Sequence, residues 1–211
     1  ILGVGVLTVA DGFANNGDVI LTSTVAGEGA ILAVTTGQLV NSVGGSISAL
    51  PGAGAGVRRI SGSLDNRGDL SFQTPFQVAG LLIDTTAAAN TIYGNGNAIT
   101  VNGVNLDGAV FDNAPLIWDE GAFIDFTDVT FDNMSVAATQ ITVNHQGVAG
   151  AFTFANTTFN TTPTTGLYIF ADDTDGTDPD TLEVTFIDAI PSDGSALTGT
   201  DGDAIVNWTT S

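Results

Sequence analysis

The 211-residue chain has no cysteine and no lysine. Without cysteine there is no disulfide framework, no zinc–thiolate site and no thiol chemistry. Its only cations are Arg58, Arg59 and Arg67, against 23 acidic residues, which leaves a formal net charge of −20. Three cationic side chains cannot track a phosphate backbone, so nucleic-acid binding is excluded. The same shortage argues against docking on anionic lipid. Long apolar runs are missing too. The most apolar stretch, Ile1–Ala10, is far shorter than a membrane span, so no membrane insertion is expected. Glutamate is nearly absent (Glu28, Glu120 and Glu183), and no segment of ten or more residues keeps a 3.6-residue apolar period. Ala137–Val143 comes nearest and reads equally well as a strand.

What is present is the vocabulary of short strands and tight turns: 27 glycines with abundant Asp, Asn, Thr and Val, and a hydrophobic fraction of 43%. The composition predicts an all-β chain of one domain, 1–211, long enough for a sizeable core. Leu50–Gly56 is the most linker-like stretch, giving a candidate loop at 50–57, and 171–180 is a second, acidic one. The chain starts at Ile1 without a basic leader, as expected of a mature or excised segment. Acidity, lack of cysteine and scarcity of cations together favour an extracellular or cell-surface location. Asn133, Asn156, Asn160 and Asn207 open N-x-Ser/Thr sequons, glycan acceptors in a suitable host.

Internal repeats carry the architecture. Phe13-Ala-Asn15-Asn-Gly17-Asp18-Val19 matches Leu64-Asp-Asn66-Arg-Gly68-Asp69-Leu70 at an offset of 51. Each copy reads as strand, Asn/Gly/Asp turn, strand. A second family pairs Phe126-Thr-Asp128-Val-Thr-Phe131-Asp132 with Phe154-Ala-Asn156-Thr-Thr-Phe159-Asn160 at an offset of 28. Val101–Asp107 fits that frame 25 residues before the Phe126 copy, and Val184–Asp188 is a degenerate fourth, with Phe186 lying 27 residues after Phe159. Spacings of this size are those of one turn of a parallel β-solenoid, whose coils stack because none can bury its apolar face alone. At roughly 22 residues per coil the chain holds about nine coils. Inward Val, Ile, Leu and Phe would stack in ladders, and corner asparagines would align their amides. A two-sheet β-sandwich fits the strand spacing as well; there, Ile1–Ala10 would insert into a neighbouring subunit.

Gly121-Ala-Phe-Ile124 leading into Phe126–Asn133, and Gly150-Ala-Phe-Thr153 leading into Phe154–Asn160, resemble the glycine-led FxxN repeats of bacterial polymorphic outer-membrane proteins. More broadly they resemble pectate-lyase-like β-helices and autotransporter passengers, over about residues 95–190. The resemblance implies a single-stranded parallel β-helix on a cell surface and carries over no catalytic residue.

Asp172, Asp173, Asp175, Asp178 and Asp180 put five carboxylates into nine residues around Gly176. Such a set of hard oxygens suits Ca²⁺, the one cofactor expected, although the spacing is not that of an EF-hand. Arg67-Gly68-Asp69 spells the integrin tripeptide, but the equivalent Asn16-Gly17-Asp18 assigns Gly-Asp to the turn and makes the arginine incidental. His145 is the only histidine. Asp119–Glu120, Asp125 and Asp128 offer no paired-carboxylate geometry, and Arg58, Arg59 and Arg67 are the only candidates for the base of a lyase. Trp118, Trp208, Tyr93 and Tyr168 are candidate sugar-stacking side chains. The expectation is a non-enzymatic extracellular structural or adhesive protein, a self-assembling filament, sheath or stalk subunit. It would associate through Ile1–Ala10 or the solenoid ends. A glycan-binding module, or a β-helix polysaccharide lyase or hydrolase, is the alternative.

Overall fold

The computed structural model describes residues 4–53, 56–84, 86, 90–119, 123–133, 141–145, 150–159, 167–171, 181–187, 197–201 and 205–210. These residues form strands and turns and no helix. In chain order the strands are β1 (Gly5–Asn15), β2 (Asp18–Leu21), β3 (Ala30–Asn41), β4 (Ser46–Ala49), β5 (Arg58–Asn66), β6 (Asp69–Phe72) and β7 (Phe76–Ile83). They continue as β8 (Thr91–Tyr93), β9 (Ile99–Asp107), β10 (Val110–Asp112), β11 (Leu116–Asp119), β12 (Phe123–Thr127), β13 (Thr130–Asp132) and β14 (Ile141–His145). The last are β15 (Gly150–Ala155), β16 (Thr158–Phe159), β17 (Leu167–Ala171), β18 (Thr181–Ile187), β19 (Leu197–Asp201) and β20 (Ile205–Thr210).

The larger sheet has 13 strands and follows the path β1-β3-β5-β7-β9-β11-β14-β17-β19, with a branch β9-β12-β15-β18-β20. The smaller has seven, β2-β4-β6-β8-β10-β13-β16. Neighbours in both are parallel. A sandwich is built from antiparallel strands, so that alternative is overturned. From β1 to β9 each strand of the larger sheet leads into one of the smaller, and the chain then returns beside its start; beyond β9 the larger sheet supplies two strands in succession, β11 then β12 before β13, and β14 then β15 before β16. One such pass is called a tier below, β1–β2 being the first.

Long strands of the early tiers bend at mid-strand glycines. Gly12, Gly62, Gly80 and Gly103 lie where the pairing slips or lapses, between Asp11 and Phe13, Ile60 and Leu64, and Val78 and Leu81. A Cβ on Gly80 would come within 2.6 Å of the Gly62 backbone, so the bend admits no side chain there. After β9 the two halves become separate strands: Ile99–Val101 pair with β11, and Val104–Asp107 with β12.

Inward side chains alternate with outward ones, as in the buried–partly buried pattern of β4. They stack in columns: Leu39, Leu64, Leu82, Val104, Ile124 and Phe152 in one, Ile47, Leu70, Ile92, Phe111 and Phe131 in another, all at most 1% exposed. Tight corners between β9/β10, β12/β13 and β15/β16 turn at Gly108, Asp128 and Asn156, with φ of 76°, 54° and 48°. Glycine, Asn and Asp are the residues that tolerate this left-handed conformation.

The repeats register differently from the sequence expectation. Asn15 aligns with Asn41 and Asn41 with Asn66, so the offset of 51 spans two tiers. Phe126 aligns with Phe154 as expected. Its partner on the other side is Leu106, not Val101, because that tier advances 20 residues rather than 25. Phe186 aligns with Phe154, not Phe159. Both errors come from assuming one coil length, whereas register-matched residues lie from 17 (Ile99 and Leu116) to 32 apart (Gly150 and Leu182).

The expected amide ladder is present. The Asn15 Nδ2 donates to Asn41 Oδ1 at 2.8 Å, and the Asn41 Nδ2 to Asn66 Oδ1 at 2.9 Å and to the Asp69 carbonyl at 3.0 Å. Asn41 is completely buried. Asn41→Leu would strand three polar partners in the core, and each buried orphan costs about 1–3 kcal/mol. Part relaxes, and the expected loss is about 3 kcal/mol, read by denaturant unfolding. A loss under about 0.5 kcal/mol would show that the ladder is bystander packing.

Candidate assembly surface

The first tier is built like the others but lacks a neighbour on one side. β1 pairs with β3 and β2 with β4, and among the described residues no strand meets their outer edges. The columns that are closed elsewhere lie open here. Leu7 is 65% exposed, whereas Leu32, its register partner in the next tier, is 3% exposed. Val6, Ile20 and Val4 are similarly bare, and Val9, Phe13 and Val19 are only partly covered. All of these but Val4, together with Leu21 and Leu32, line a cleft of about 730 Å³. Uncovered parallel edges and exposed apolar side chains thus meet in one place.

Local chemistry holds this tier in place. Where β1 slips past β3 after Asp11, the Thr35 and Thr36 hydroxyls donate to the Ala10 carbonyl at 2.7 and 2.6 Å. Thr36 also reaches Asp11 Oδ1 at 2.8 Å, and the Ser46 hydroxyl reaches Asp18 Oδ1 at 2.6 Å. Glu28 is the one acidic residue among those lining the cleft. The ladder ends here as well. Among the described residues Asn15 Oδ1 accepts the Gly17 N–H, at 3.2 Å, where the oxygens of Asn41 and Asn66 each accept an amide of the tier before.

The other expected sites fare differently. Asp172, Asp173, Asp175, Asp178 and Asp180 lie outside the described residues, and so do Glu120 and Asn160. Among the described residues no three His, Cys, Asp or Glu side chains gather in a manner able to hold a metal. Arg67 is not incidental. Its Nε and Nη2 both donate to Asp65 Oδ2, at 3.0 and 2.5 Å, and Asp65 is wholly buried. That hydrogen bond holds the guanidinium pKa above its ordinary value. Arg58 is completely buried on backbone carbonyls and is no base in a cleft. Sequence reasoning missed this burial; the signal was an arginine directly after a glycine-rich loop.

Trp118 is core, 1% exposed and edge-on to Phe152 with centroids 5.2 Å apart, so it is unavailable to a sugar. Tyr93 is 41% exposed. Tyr168 and Trp208 fall in β17 and β20, opposite Thr142 and Val184 in register, and His145 ends β14 opposite Ala171. Asp119 ends β11 and aligns with Asn144. Asp125 is exposed on β12, and Asp128 at its corner accepts the Asn156 amide, the turn role expected of it. Two sequon asparagines, Asn133 and Asn156, are exposed, and their amides donate to Asp112 and Asp128. Asn207 lies in β20, opposite Glu183. Compared with family models, with curated proteins and with solved structures, the chain matches none.

Proposed function

We propose that this chain is a non-enzymatic structural or adhesive protein of the cell exterior. In this reading its two parallel sheets wrap as a single-stranded β-helix of about nine coils, and copies assemble into a filament, sheath or stalk through the uncovered first coil. The observation that carries the reading is that coil, with open edges on β1 and β2 and bare Leu7, Val6 and Ile20 beside the cleft. Burying such apolar surface is favourable by about 25 cal/mol per Å², and contiguous exposed patches mark association sites. The nine-strand path and the return of the chain after each tier support the β-helix. The sequence supports the setting: with no cysteine and no lysine, nothing in it depends on thiol chemistry or an anionic partner. A net charge of −20 resists self-association, so a divalent cation has a natural part. The Asp172–Asp180 segment is the proposed calcium loop.

Electron microscopy of the purified chain, in calcium and then in chelator, tests this. Ordered filaments or sheets are expected in calcium, with dispersal in chelator. Dispersed single particles in both conditions would overturn the reading. Leu7→Asp places a charge on the open face without touching the core. It should abolish assembly and leave the monomer's unfolding midpoint within about a degree or two of the parent's, as measured by circular dichroism.

A further inference from the structure

The outer face of the smaller sheet carries one large side chain among small ones. On β4, β6, β8, β10 and β13 buried positions alternate with outward ones. From β4 to β16 the outward positions of this sheet hold Ser, Thr, Asp or Val, with one exception. The exception is Tyr93, exposed at the end of β8. Among the described residues its ring pairs with no other aromatic and its hydroxyl makes no hydrogen bond. An aromatic that serves the core does the opposite, as Trp118 does by burying its ring against Phe152.

The register fixes what surrounds the ring. Ser48, Ser71, Tyr93, Asp112 and Asp132 share one outward position in successive tiers. Neighbours in such a row lie about 4.8 Å apart. On one side of Tyr93 stand hydroxyls, with those of Ser48 and Ser71 3.2 Å apart. On the other stand two carboxylates, which repel each other. Asn133 holds that pair in place. Its Nδ2 donates to Asp112 Oδ1 and its backbone N–H to Asp132 Oδ1, both at 2.9 Å. Each carboxylate keeps its Oδ2 without a protein partner among the described residues. An ionised carboxylate can only accept. Tyr93 thus sits beside two positioned acceptors on one flank and hydroxyls on the other.

We propose that this row is a binding track for an uncharged polysaccharide, with Tyr93 as its stacking platform. It extends the adhesive side of the proposed function and does not need copies to assemble. A sugar ring has an apolar C–H face that lies on an aromatic ring and a rim of hydroxyls that donate. Hydrogen bonds from hydroxyls to a carboxylate are charge-assisted and among the stronger kinds. A unit stacked on Tyr93 meets Asp112 on one side and Ser71 on the other, and a chain running along the stack continues to Asp132 and Ser48. Such a row suits a polymer better than a single sugar. Acidic polymers are disfavoured by the two carboxylates and by the net charge of −20. A basic peptide would be drawn to the carboxylates, but the hydroxyl flank offers it no charge to pair with.

Affinity electrophoresis in native gels containing hydroxyethylcellulose, laminarin or galactomannan tests the track, with chelator present. Retardation by at least one of these neutral polymers is expected, and none by polygalacturonate. Tyr93→Ala should weaken binding by about tenfold or more, read from the polymer concentration that gives half retardation. Tyr93→Phe should bind nearly as the parent does, because the ring supplies the contact. Asp112→Asn should weaken binding severalfold, since it turns a free acceptor into a donor. All three variants should keep the parent's unfolding midpoint, as expected of outward positions. Retardation by none of the neutral polymers, or retardation that Y93A leaves unchanged, would overturn the proposal. Binding to a lysine-rich peptide but to no neutral polymer, lost in high salt, would overturn it in favour of a basic partner. Because binding is read in chelator, where the proposed assembly disperses, either reading can fail while the other stands.

Discussion

Arg58→Leu is expected to destabilise the protein by about 3–4 kcal/mol and to open the 50–57 loop to protease. The guanidinium is completely buried, and its Nε donates to the Leu50 carbonyl at 2.7 Å. Its Nη1 donates to the Gly56 carbonyl at 2.6 Å and to that of Glu28 at 3.3 Å, and its Nη2 to that of Pro51. One planar fork thus ties both ends of the loop to β5. Desolvation opposes this arrangement and pulls the arginine's pKa below its ordinary value. It does not neutralise the side chain, because an arginine stays protonated in proteins. Leucine would fill much of the volume but leave those carbonyls facing a hydrocarbon, at about 1–3 kcal/mol for each that finds no water. Arg58→Lys should recover little, since a compact ammonium lacks the fork that reaches several carbonyls at once. For a chain of this length a loss of that size lowers the thermal midpoint by about 10 °C. An R58L chain with the parent's midpoint and protease pattern would show that the loop is held by its own turns.

The same loop shows what the sequence could and could not convey. Its glycines and proline announced a break between strands, and the break falls between β4 and β5. The burial of Arg58 was hidden, because a charged residue after a flexible segment ordinarily belongs to solvent. The repeats were legible in a similar, partial way. Asn15 and Asn66 matched because each is followed three residues later by Asp18 or Asp69. The tier between them spends five residues from Asn41 to Ser46, with Val43 76% exposed and Gly44 at φ 84°, so its copy did not align. Parallel stacking constrains the strands and the inward columns; it leaves the lengths of the outer turns free. Sequence matching that assumes a period therefore finds tiers with equal turns and misplaces those with unequal ones, as at Val101 and Phe186. The open first tier was anticipated from its apolar start. How far its apolar side chains are bared, Leu7 beside the covered Leu32, required the neighbouring tier for comparison.

Phe126→Ala should give the other large loss, about 3–5 kcal/mol, and it should change the shape of the unfolding transition. Phe126 is wholly buried at the middle of a ring stack. Its centroid lies 6.0 Å from that of Phe111, 5.9 Å from Phe131 and 5.7 Å from Phe154, with tilted or edge-on planes. Such pairs contribute about 0.5–1.5 kcal/mol beyond area burial. The cavity left by alanine is bounded by β9 and β15, each hydrogen-bonded to β12, so the walls cannot close in. Costs are highest where a site cannot collapse, which places this change near the upper end for Phe→Ala. Stability in a stacked architecture is nearly a sum of tier terms and nearest-neighbour interface terms. Phe126 contributes to the interfaces on both sides of its tier, so its loss weakens the coupling between tiers before it and tiers after it. Hydrogen exchange should then show the β1–β9 amides holding protection under denaturant that already releases those of β12 onward. Phe13→Ala serves as the control, because Phe13 sits half-covered in the open first tier and should cost only about 1 kcal/mol. Equal losses at the two positions would mean that the first tier is covered in solution, and would locate its partner before any micrograph was taken.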